Sequence, residues 1–315
     1  MALAIGSKEF FQCFIRYEMM KSSLTYDNLE PLHHELLRIL KVFITICEKH
    51  GLMYYAGYGT ALGAVRHHGI IPWDDDLDVI MPREDYNRFL QIVSGELPTG
   101  WGLVSEQTEP YYDCSWCKIQ NFNRKEIEEC ECALGDKIPQ GLYIDIFPLN
   151  AVPDSKFGNL KRDLHYLCAL ARLRWDVKES CRSKLRSLAG WVIALLVSRW
   201  FIPKFSTKGD FYEYVWHKVV TSPKFGECRL VSPRMISRQK WPPFRPFPVE
   251  YLGDGEYVEF SGLKIRIPRM WHDYLSFFYG DYMTPPPPES RKCKHSVEAV
   301  AAWKFGLTRD CQSDV

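Results

Sequence analysis

Apolar residues recur along this chain with spacings that predict both helices and strands. From Leu29 to His50 they follow a helical period, and a second helical pattern begins at Arg83, directly after Pro82, and runs to Val93. Residues Glu256 to Ile267 alternate as a hairpin does, with a turn predicted at Ser261-Gly262. The tract from Phe157 to Phe205 reads as mostly helical. The pattern therefore predicts a fold that contains both helices and strands.

Short apolar runs indicate further strands, and one of them follows a cluster of aspartates. The cluster is Trp73-Asp-Asp-Asp-Leu-Asp-Val-Ile80. Carboxylates this close repel one another unless a cation compensates their charge. Because alternate side chains of a strand share a face, Asp76 and Asp78 are predicted to project together and hold a metal ion, while Asp74 and Asp75 precede the strand. A solvated acidic turn is the alternative.

A glycine turn upstream suggests a phosphate site. Tyr55 and its neighbours predict a strand, which is followed by Gly59-Thr60-Ala-Leu-Gly63 and a short helix. The backbone N–H groups of such a turn can bind a phosphate, for which the metal would be the counter-ion. Arg66 can clamp phosphate through its planar guanidinium, or it is a surface residue at a helix end.

Two later strands carry one charge each. Asp145 interrupts the apolar run Gly141 to Leu149, and a lone buried carboxylate needs a partner. The predicted metal site could be that partner, in which case Asp145 shares the metal or accepts a proton from an attacking hydroxyl. An edge-strand position facing water is the alternative. Lys118, in Ser115 to Gln120, is either an edge-strand or surface lysine or a ligand of the predicted site.

These residues together resemble a known family. The stretch from Tyr58 to Tyr86, with Tyr143-Ile-Asp-Ile-Phe-Pro-Leu149 and Tyr279 to Arg291, is similar to the LicD family, which includes phosphocholine transferases of bacterial surface polysaccharides and is related to the fukutins. The resemblance runs in order from about Leu32 to His295. Residues 155 to 235 show no motif of that family, and Asn150 stands where the family often has Asp.

The resemblance implies an α+β fold of the polymerase-beta nucleotidyltransferase type, with a mixed sheet and flanking helices. It implies a single catalytic domain over residues 1–315, with the core at about 32–150, a helical insertion at about 155–235 and a C-terminal part at about 236–300. The metal, Mg²⁺ or Mn²⁺, would be held by Asp76, Asp78 and Asp145. The activity would be transfer of a phospho-alcohol such as phosphocholine from a CDP-linked donor to a sugar hydroxyl of a glycan or glycolipid, with release of CMP, as in lipopolysaccharide modification.

The composition of the chain limits which binding partners and which cellular location we expect. A net charge of +1 and the absence of a stripe rich in Lys and Arg argue against nucleic acid. The N-terminus does not fit a secretory signal and no segment reaches the length of a membrane span, so the expected location is cytoplasmic. Leu188 to Phe205 is either a buried helix or one lying at the membrane surface. Cys114, Cys117, Cys130 and Cys132 favour free thiols over a zinc site.

Two rival functions belong to other classes. A metal-dependent glycosyltransferase also uses an Asp-x-Asp pair, although it would not explain the glycine turn just upstream. A glycan- or nucleotide-binding relative without activity is possible if the fold persists and the metal is lost. The presence of Asp76, Asp78 and Asp145 argues against the second alternative.

Overall fold

The computed structural model describes residues 29–105, 107–108, 115–123, 142–176, 202–206, 208–215, 218, 225–233 and 245–291. The helices are α1 (Glu30–His50), α2 (Tyr58–His67), α3 (Arg83–Ile92), α4 (Lys156–Asp176), α5 (Lys208–Tyr214) and α6 (Trp271–Tyr279). The strands are β1 (Tyr55–Ala56), β2 (Asp78–Pro82), β3 (Trp101–Val104), β4 (Cys117–Asn121), β5 (Leu142–Val152), β6 (Leu230–Ser232), β7 (Phe247–Pro248), β8 (Glu256–Phe260) and β9 (Leu263–Ile267). The mixed α+β class is confirmed.

Strand β5 is the centre of the main sheet. Among the described residues this sheet has seven strands, in the order β1-β2-β5-β4-β3, with β6 paired to the far half of β5 and β7 paired to β6. Strands β2 and β5 are parallel, whereas β4 and β6 run antiparallel to β5. Since β5 is flanked on both sides, the alternative that placed Asp145 on an edge strand is wrong.

Helix α1 covers one side of this sheet, as its spacing predicted. Its apolar residues, including Leu36, Leu40 and Phe43, are almost fully buried in the main core. The helix ends at Gly51, whose φ of 60° is the left-handed conformation that glycine adopts without strain. Burial of a large apolar side chain stabilises the fold by about 1.5–3 kcal/mol. The packing of α1 on the sheet therefore contributes substantially to the free energy of folding.

Local signals also located the hairpin and helix α3. Strands β8 and β9 pair antiparallel with Phe260 opposite Leu263, so Ser261 and Gly262 form the turn as predicted. Helix α3 begins at Arg83, directly after Pro82. Helices α4 and α5 pack on each other around a second, smaller apolar cluster that includes Ala169, Leu173 and Phe211.

Candidate active site

The register of two parallel strands places two predicted site residues side by side. Asp78, the first residue of β2, lies opposite Asp145 on β5. The backbone N–H of Asp145 donates to the carbonyl of Leu77, so the pairing begins there. The sequence predicts that Asp145 reaches the aspartate cluster if their strands are neighbours. The strands are neighbours.

Asp145 finds its partners in strand β4 and the residue before it. The side chain of Asp145 is 8% exposed, and its Oδ1 lies 3.2 Å from Nζ of Lys118. The same oxygen accepts a hydrogen bond of 2.8 Å from Nε1 of Trp116. Among the described residues, no hydrogen bond or ion pair engages Oδ2. A buried carboxylate is thus stabilised through one oxygen while the other stays available to a ligand.

Lys118 lies on β4, which is an interior strand of the sheet. The strand pairs with β3 on one side and β5 on the other, so the edge-strand interpretation is wrong. Nζ of Lys118 also lies 3.3 Å from the ring centroid of Tyr143, a cation–π contact. Desolvation raises the pKa of Tyr143, with opposing contributions from Lys118 and from Asp145. Lys118 is therefore a half-buried cation directed at the candidate site.

The aspartate cluster is arranged differently from the strand prediction. Strand β2 begins at Asp78, so Asp76 lies before the strand, and the projection of Asp76 and Asp78 to one side stays a prediction. The reason that the strand begins there is a turn in which the N–H of Asp74 donates to Ile71, while the Asp74 carbonyl contacts Nε2 of His33 at 2.8 Å. These bonds hold the chain away from a strand conformation until the pairing with β5 begins at Leu77.

This turn groups three carboxylates. One oxygen each from Asp74, Asp75 and Asp76 can lie within 4.8 Å of the others. Oxygen ligands of Mg²⁺ sit about 2.1 Å from the metal, so this spacing fits one divalent cation. Among the described residues, Asp78 and Asp145 lie outside this group. Asp74 and Asp75, to which the sequence gave no ligand role, therefore join Asp76 as candidates, and the predicted set Asp76, Asp78 and Asp145 stays a prediction.

The glycine turn contacts both the start of β2 and the loop that leads to the aspartates. Gly59, Thr60 and Gly63 are all buried within helix α2. The Thr60 hydroxyl accepts a hydrogen bond of 2.7 Å from the N–H of Asp78, which fixes the start of β2. A Cβ at Gly63 would lie 2.5 Å from the carbonyl oxygen of Gly69. Gly63 thus allows the close approach of the loop that leads to the aspartates, and phosphate binding by these three residues stays a prediction.

Arg66 stands in a group of cations around one indole ring. Its guanidinium lies 5.9 Å from the ring centroid of Trp73, and that of Arg291 lies 5.0 Å from it. Arg66 donates to the carbonyl of Tyr282 at 2.7 Å and to Nε2 of His67 at 3.0 Å. Neither arginine has a carboxylate partner among the described residues. Arg66 is half-buried in the last turn of α2, so phosphate binding by Arg66 stays a prediction beside the alternative of a surface arginine at a helix end.

The pKa shifts agree with a surplus of positive charge here. Desolvation lowers the pKa of Arg66, and Arg291 lowers it further. Desolvation likewise lowers the pKa of His67, followed by Arg66 and Arg291. Because His67 accepts a hydrogen bond from Arg66, it is neutral and positions the guanidinium. Two arginines that have no carboxylate partner among the described residues suit a ligand that carries phosphate, and the three grouped carboxylates suit a metal ion bound together with it.

Tyr279, at the end of α6, interacts electrostatically with the aspartates and with Arg66. Desolvation raises the pKa of its hydroxyl, with Tyr274 and the carboxylates of Asp78, Asp74 and Asp76 raising it further. The same hydroxyl raises the pKa of Arg66. Although the residue is 38% exposed, its phenol end is thus within electrostatic reach of the aspartates and the arginine.

Sequence reasoning missed several of these residues. In the sequence, Trp116 and Trp73 stand out only as apolar residues. No local pattern indicates that Trp116 contacts Asp145 or that Trp73 contacts two arginines. Arg291 was part of the third segment of family resemblance, which was the one signal that could have drawn attention to it. Of the cysteines, Cys117 is buried in β4, whereas Cys114, Cys130 and Cys132 lie outside the described residues.

The regions proposed for membrane contact are described only in part. Residues 188–201 of the tract Leu188 to Phe205 lie outside the described residues. None of the helices that the structure describes is both long and apolar enough to cross a membrane.

Comparison with known proteins shows which family the site-bearing part of the chain matches. Residues 51–151, which hold the aspartates, the glycine turn and β5 up to its last residue but one, match the family described as LicD/FKTN/FKRP, nucleotidyltransferase domain. This chain therefore carries a LicD family domain. It is similar to the lipopolysaccharide cholinephosphotransferase LicD of Haemophilus influenzae, with 29% identity over 272 residues, covering 84% of this chain and 94% of that protein.

Other relatives match a smaller part. An uncharacterized protein of Rickettsia typhi, RT0683, is 32% identical over 129 residues, which is 40% of each chain. An uncharacterized protein of Rickettsia prowazekii, RP689, is 30% identical over 132 residues, covering 40% of this chain and 48% of that protein. The resemblance found in the sequence is thus confirmed.

Proposed function

We propose that this protein is a transferase that moves a phospho-alcohol, phosphocholine or a similar group, from a CDP-linked donor to a sugar hydroxyl of a surface glycan or glycolipid, and releases CMP. Similarity over most of the chain to a protein named as a lipopolysaccharide cholinephosphotransferase supports an enzyme of this kind. We further propose the polymerase-beta type of nucleotidyltransferase fold and a requirement for Mg²⁺ or Mn²⁺.

The observation that carries the proposal is the position of Asp145. It lies opposite Asp78 in the central sheet, and both of its partners contact Oδ1. A carboxylate held in this way presents a second oxygen to a reacting group. That is the arrangement that a general base requires, since the base must lie within hydrogen-bond reach of the proton it accepts.

The chemistry can be written from these residues. The acceptor hydroxyl oxygen forms a bond to the phosphorus that carries the alcohol, the bond from that phosphorus to the bridging oxygen breaks, and CMP leaves. The hydroxyl proton passes to Oδ2 of Asp145. Arg66, Arg291 and Lys118 offset the negative charge of the diphosphate and of the departing CMP. A divalent cation held by Asp76 with Asp74 and Asp75, or with Asp78 and Asp145, would supply further charge stabilisation.

The direct test is an assay of CMP release. The protein is incubated with CDP-choline, CDP-ribitol, CDP-glycerol or CDP-ethanolamine and Mg²⁺, with and without candidate glycan acceptors. We expect acceptor-dependent CMP release from one of these donors, and its loss with EDTA. Turnover of a nucleotide sugar with no release of CMP from any donor would favour the glycosyltransferase alternative. Failure of every donor and every nucleotide sugar to react would favour a binding protein without activity.

The two arginines provide a test of donor binding. Arg291→Gln removes one of the cations beside Trp73, so we expect KM for the donor to rise about tenfold, since hydrogen bonds to charged groups contribute about 1.5–3 kcal/mol. Arg269→Gln, at an exposed arginine of the turn after β9, is the matched control. An unchanged KM in Arg291→Gln would exclude Arg291 from the donor site.

A further inference from the structure

Helix α4 carries an exposed apolar stripe in addition to its buried face. Its residues are Phe157, Leu160, Leu164 and Leu167, which are 75%, 49%, 58% and 50% exposed. The spacing of three, four and three residues aligns them along one side of the helix. Exposed large apolar residues are common one at a time, but a contiguous row of them marks an interaction surface.

The stripe lies on the side of α4 that faces away from the other residues that the structure describes. The buried residues of α4 include Arg162, Ala169 and Leu173. At about 100° per residue these fall on the side of the helix opposite the stripe. Helix α4 thus has two apolar faces, and the inner one packs against α5 around the smaller core cluster. The outer face does not contribute to that core.

Positive charges border the stripe. Lys156 and Lys161, both exposed, fall on its two sides when the helix is viewed down its axis. Across Lys156–Asp176 the sequence holds five Lys and Arg residues against two Asp residues, and one of these, Asp163, is buried. An apolar face bordered by lysines is the composition of helices that lie on anionic lipid, with the apolar residues in the acyl region and the cations at the headgroups.

The helix is also fixed to the catalytic sheet. Nη1 of the buried Arg162 donates a hydrogen bond of 2.8 Å to the carbonyl oxygen of Ala151 on β5. Asp145 lies on the same strand. The hydrogen bond from Arg162 therefore links α4 to the strand that carries Asp145.

We propose that the stripe Phe157, Leu160, Leu164 and Leu167, with Lys156 and Lys161, docks this protein on an anionic membrane surface. This assigns membrane contact to α4, and it goes beyond the transfer reaction. The charge complementarity between the lysines and anionic headgroups selects this occupant over a second copy of the chain, because two such faces would bring four lysines together.

Vesicle co-sedimentation of the full-length protein tests the proposal. The probes are vesicles of phosphatidylcholine alone and of phosphatidylcholine with 30% phosphatidylglycerol. We expect binding to the anionic vesicles, weaker binding at high salt, and a reduction of at least tenfold in the partition coefficient of Leu160→Gln/Leu164→Gln. Met270→Gln/Met283→Gln, which replaces two exposed apolar residues outside α4, should bind as the wild type does.

Charge variants give a second measurement. Lys156→Gln/Lys161→Gln should lower the partition coefficient about fivefold per lysine, as expected for about 1 kcal/mol per cation near an anionic surface. Lys41→Gln/Lys264→Gln, which replaces two exposed lysines on α1 and β9, is the control. Circular dichroism and thermal unfolding verify that each variant is folded.

Three results would overturn the proposal. They are absence of wild-type binding to anionic vesicles, unchanged binding by both α4 variants, and a wild-type dimer that Leu160→Gln/Leu164→Gln converts to a monomer. CMP release with a soluble acceptor is measured in parallel. Because vesicle binding requires no turnover, a failure of the proposed reaction and a failure of membrane docking are distinguished.

Discussion

At the scale of single residues, the stability of the buried Asp145 carboxylate depends on its two partners. Asp145 is nearly buried and receives both of its contacts at Oδ1, from Lys118 and Trp116. Removal of one partner from a buried ion pair leaves an uncompensated charge, which costs more than the pair itself contributes. The candidate base therefore depends on a lysine that the sequence left open between a surface position and a ligand role.

We expect Lys118→Met to lower the free energy of unfolding by about 2 kcal/mol, a value reduced from that of fully buried pairs because the lysine side chain is 17% exposed. The double variant Lys118→Met/Asp145→Asn should recover most of that loss, since the unpaired charge is then absent. Urea unfolding of the two single variants and the double variant measures the coupling. Additive losses would show that the pair is energetically unimportant.

We also expect Asp76→Asn and Asp78→Asn each to remove most CMP release while leaving the thermal midpoint unchanged or raised. The reason is that both changes relieve repulsion between carboxylates. Asp154→Asn, at an exposed carboxylate after β5, is the control and should retain full activity. Substantial turnover by Asp76→Asn or Asp78→Asn would remove that aspartate from the catalytic set.

At the scale of elements, the outcome of sequence reasoning depended on how local each signal was. The hairpin over Glu256–Ile267 and the helix after Pro82 are encoded by neighbours in the chain, and both were predicted. The pairing of Lys118 with Asp145 joins residues 27 positions apart, and the periodicity of neither strand reveals it. The start of β2 at Asp78 depends on the turn at Asp74 and on pairing with β5, which are likewise tertiary.

Helix α2 and the loop after it give a prediction at this scale. In Gly63→Ala the added Cβ would clash with the carbonyl oxygen of Gly69 and contact Ile71, so the loop leading to Asp74 must move. We expect a loss of about 1–3 kcal/mol in unfolding free energy, typical of overpacking, and reduced CMP release. Gly95→Ala is the matched control, because nothing lies within 4 Å of its added Cβ. Equal stability of the two variants would contradict the packing role of Gly63.

For the whole molecule, the three grouped carboxylates predict a response to divalent cations. A cation that binds the folded state alone stabilises it by about 2.7 kcal/mol at one hundred times its Kd. We expect Mg²⁺ or Mn²⁺ to raise the thermal midpoint by several degrees in the wild type and by less in Asp76→Asn. Differential scanning fluorimetry with EDTA as reference measures the shift. A shift of the same size in Asp76→Asn would place the cation elsewhere.

On strand β5, Ala151, whose carbonyl accepts the hydrogen bond from α4, lies six positions after Asp145. In an extended strand this is about 20 Å. If α4 rests on lipid, the strand sets an upper limit on the height of the reacting carboxylate above the anchored helix. The protein would then modify sugars close to the membrane in preference to those at the outer end of a long glycan.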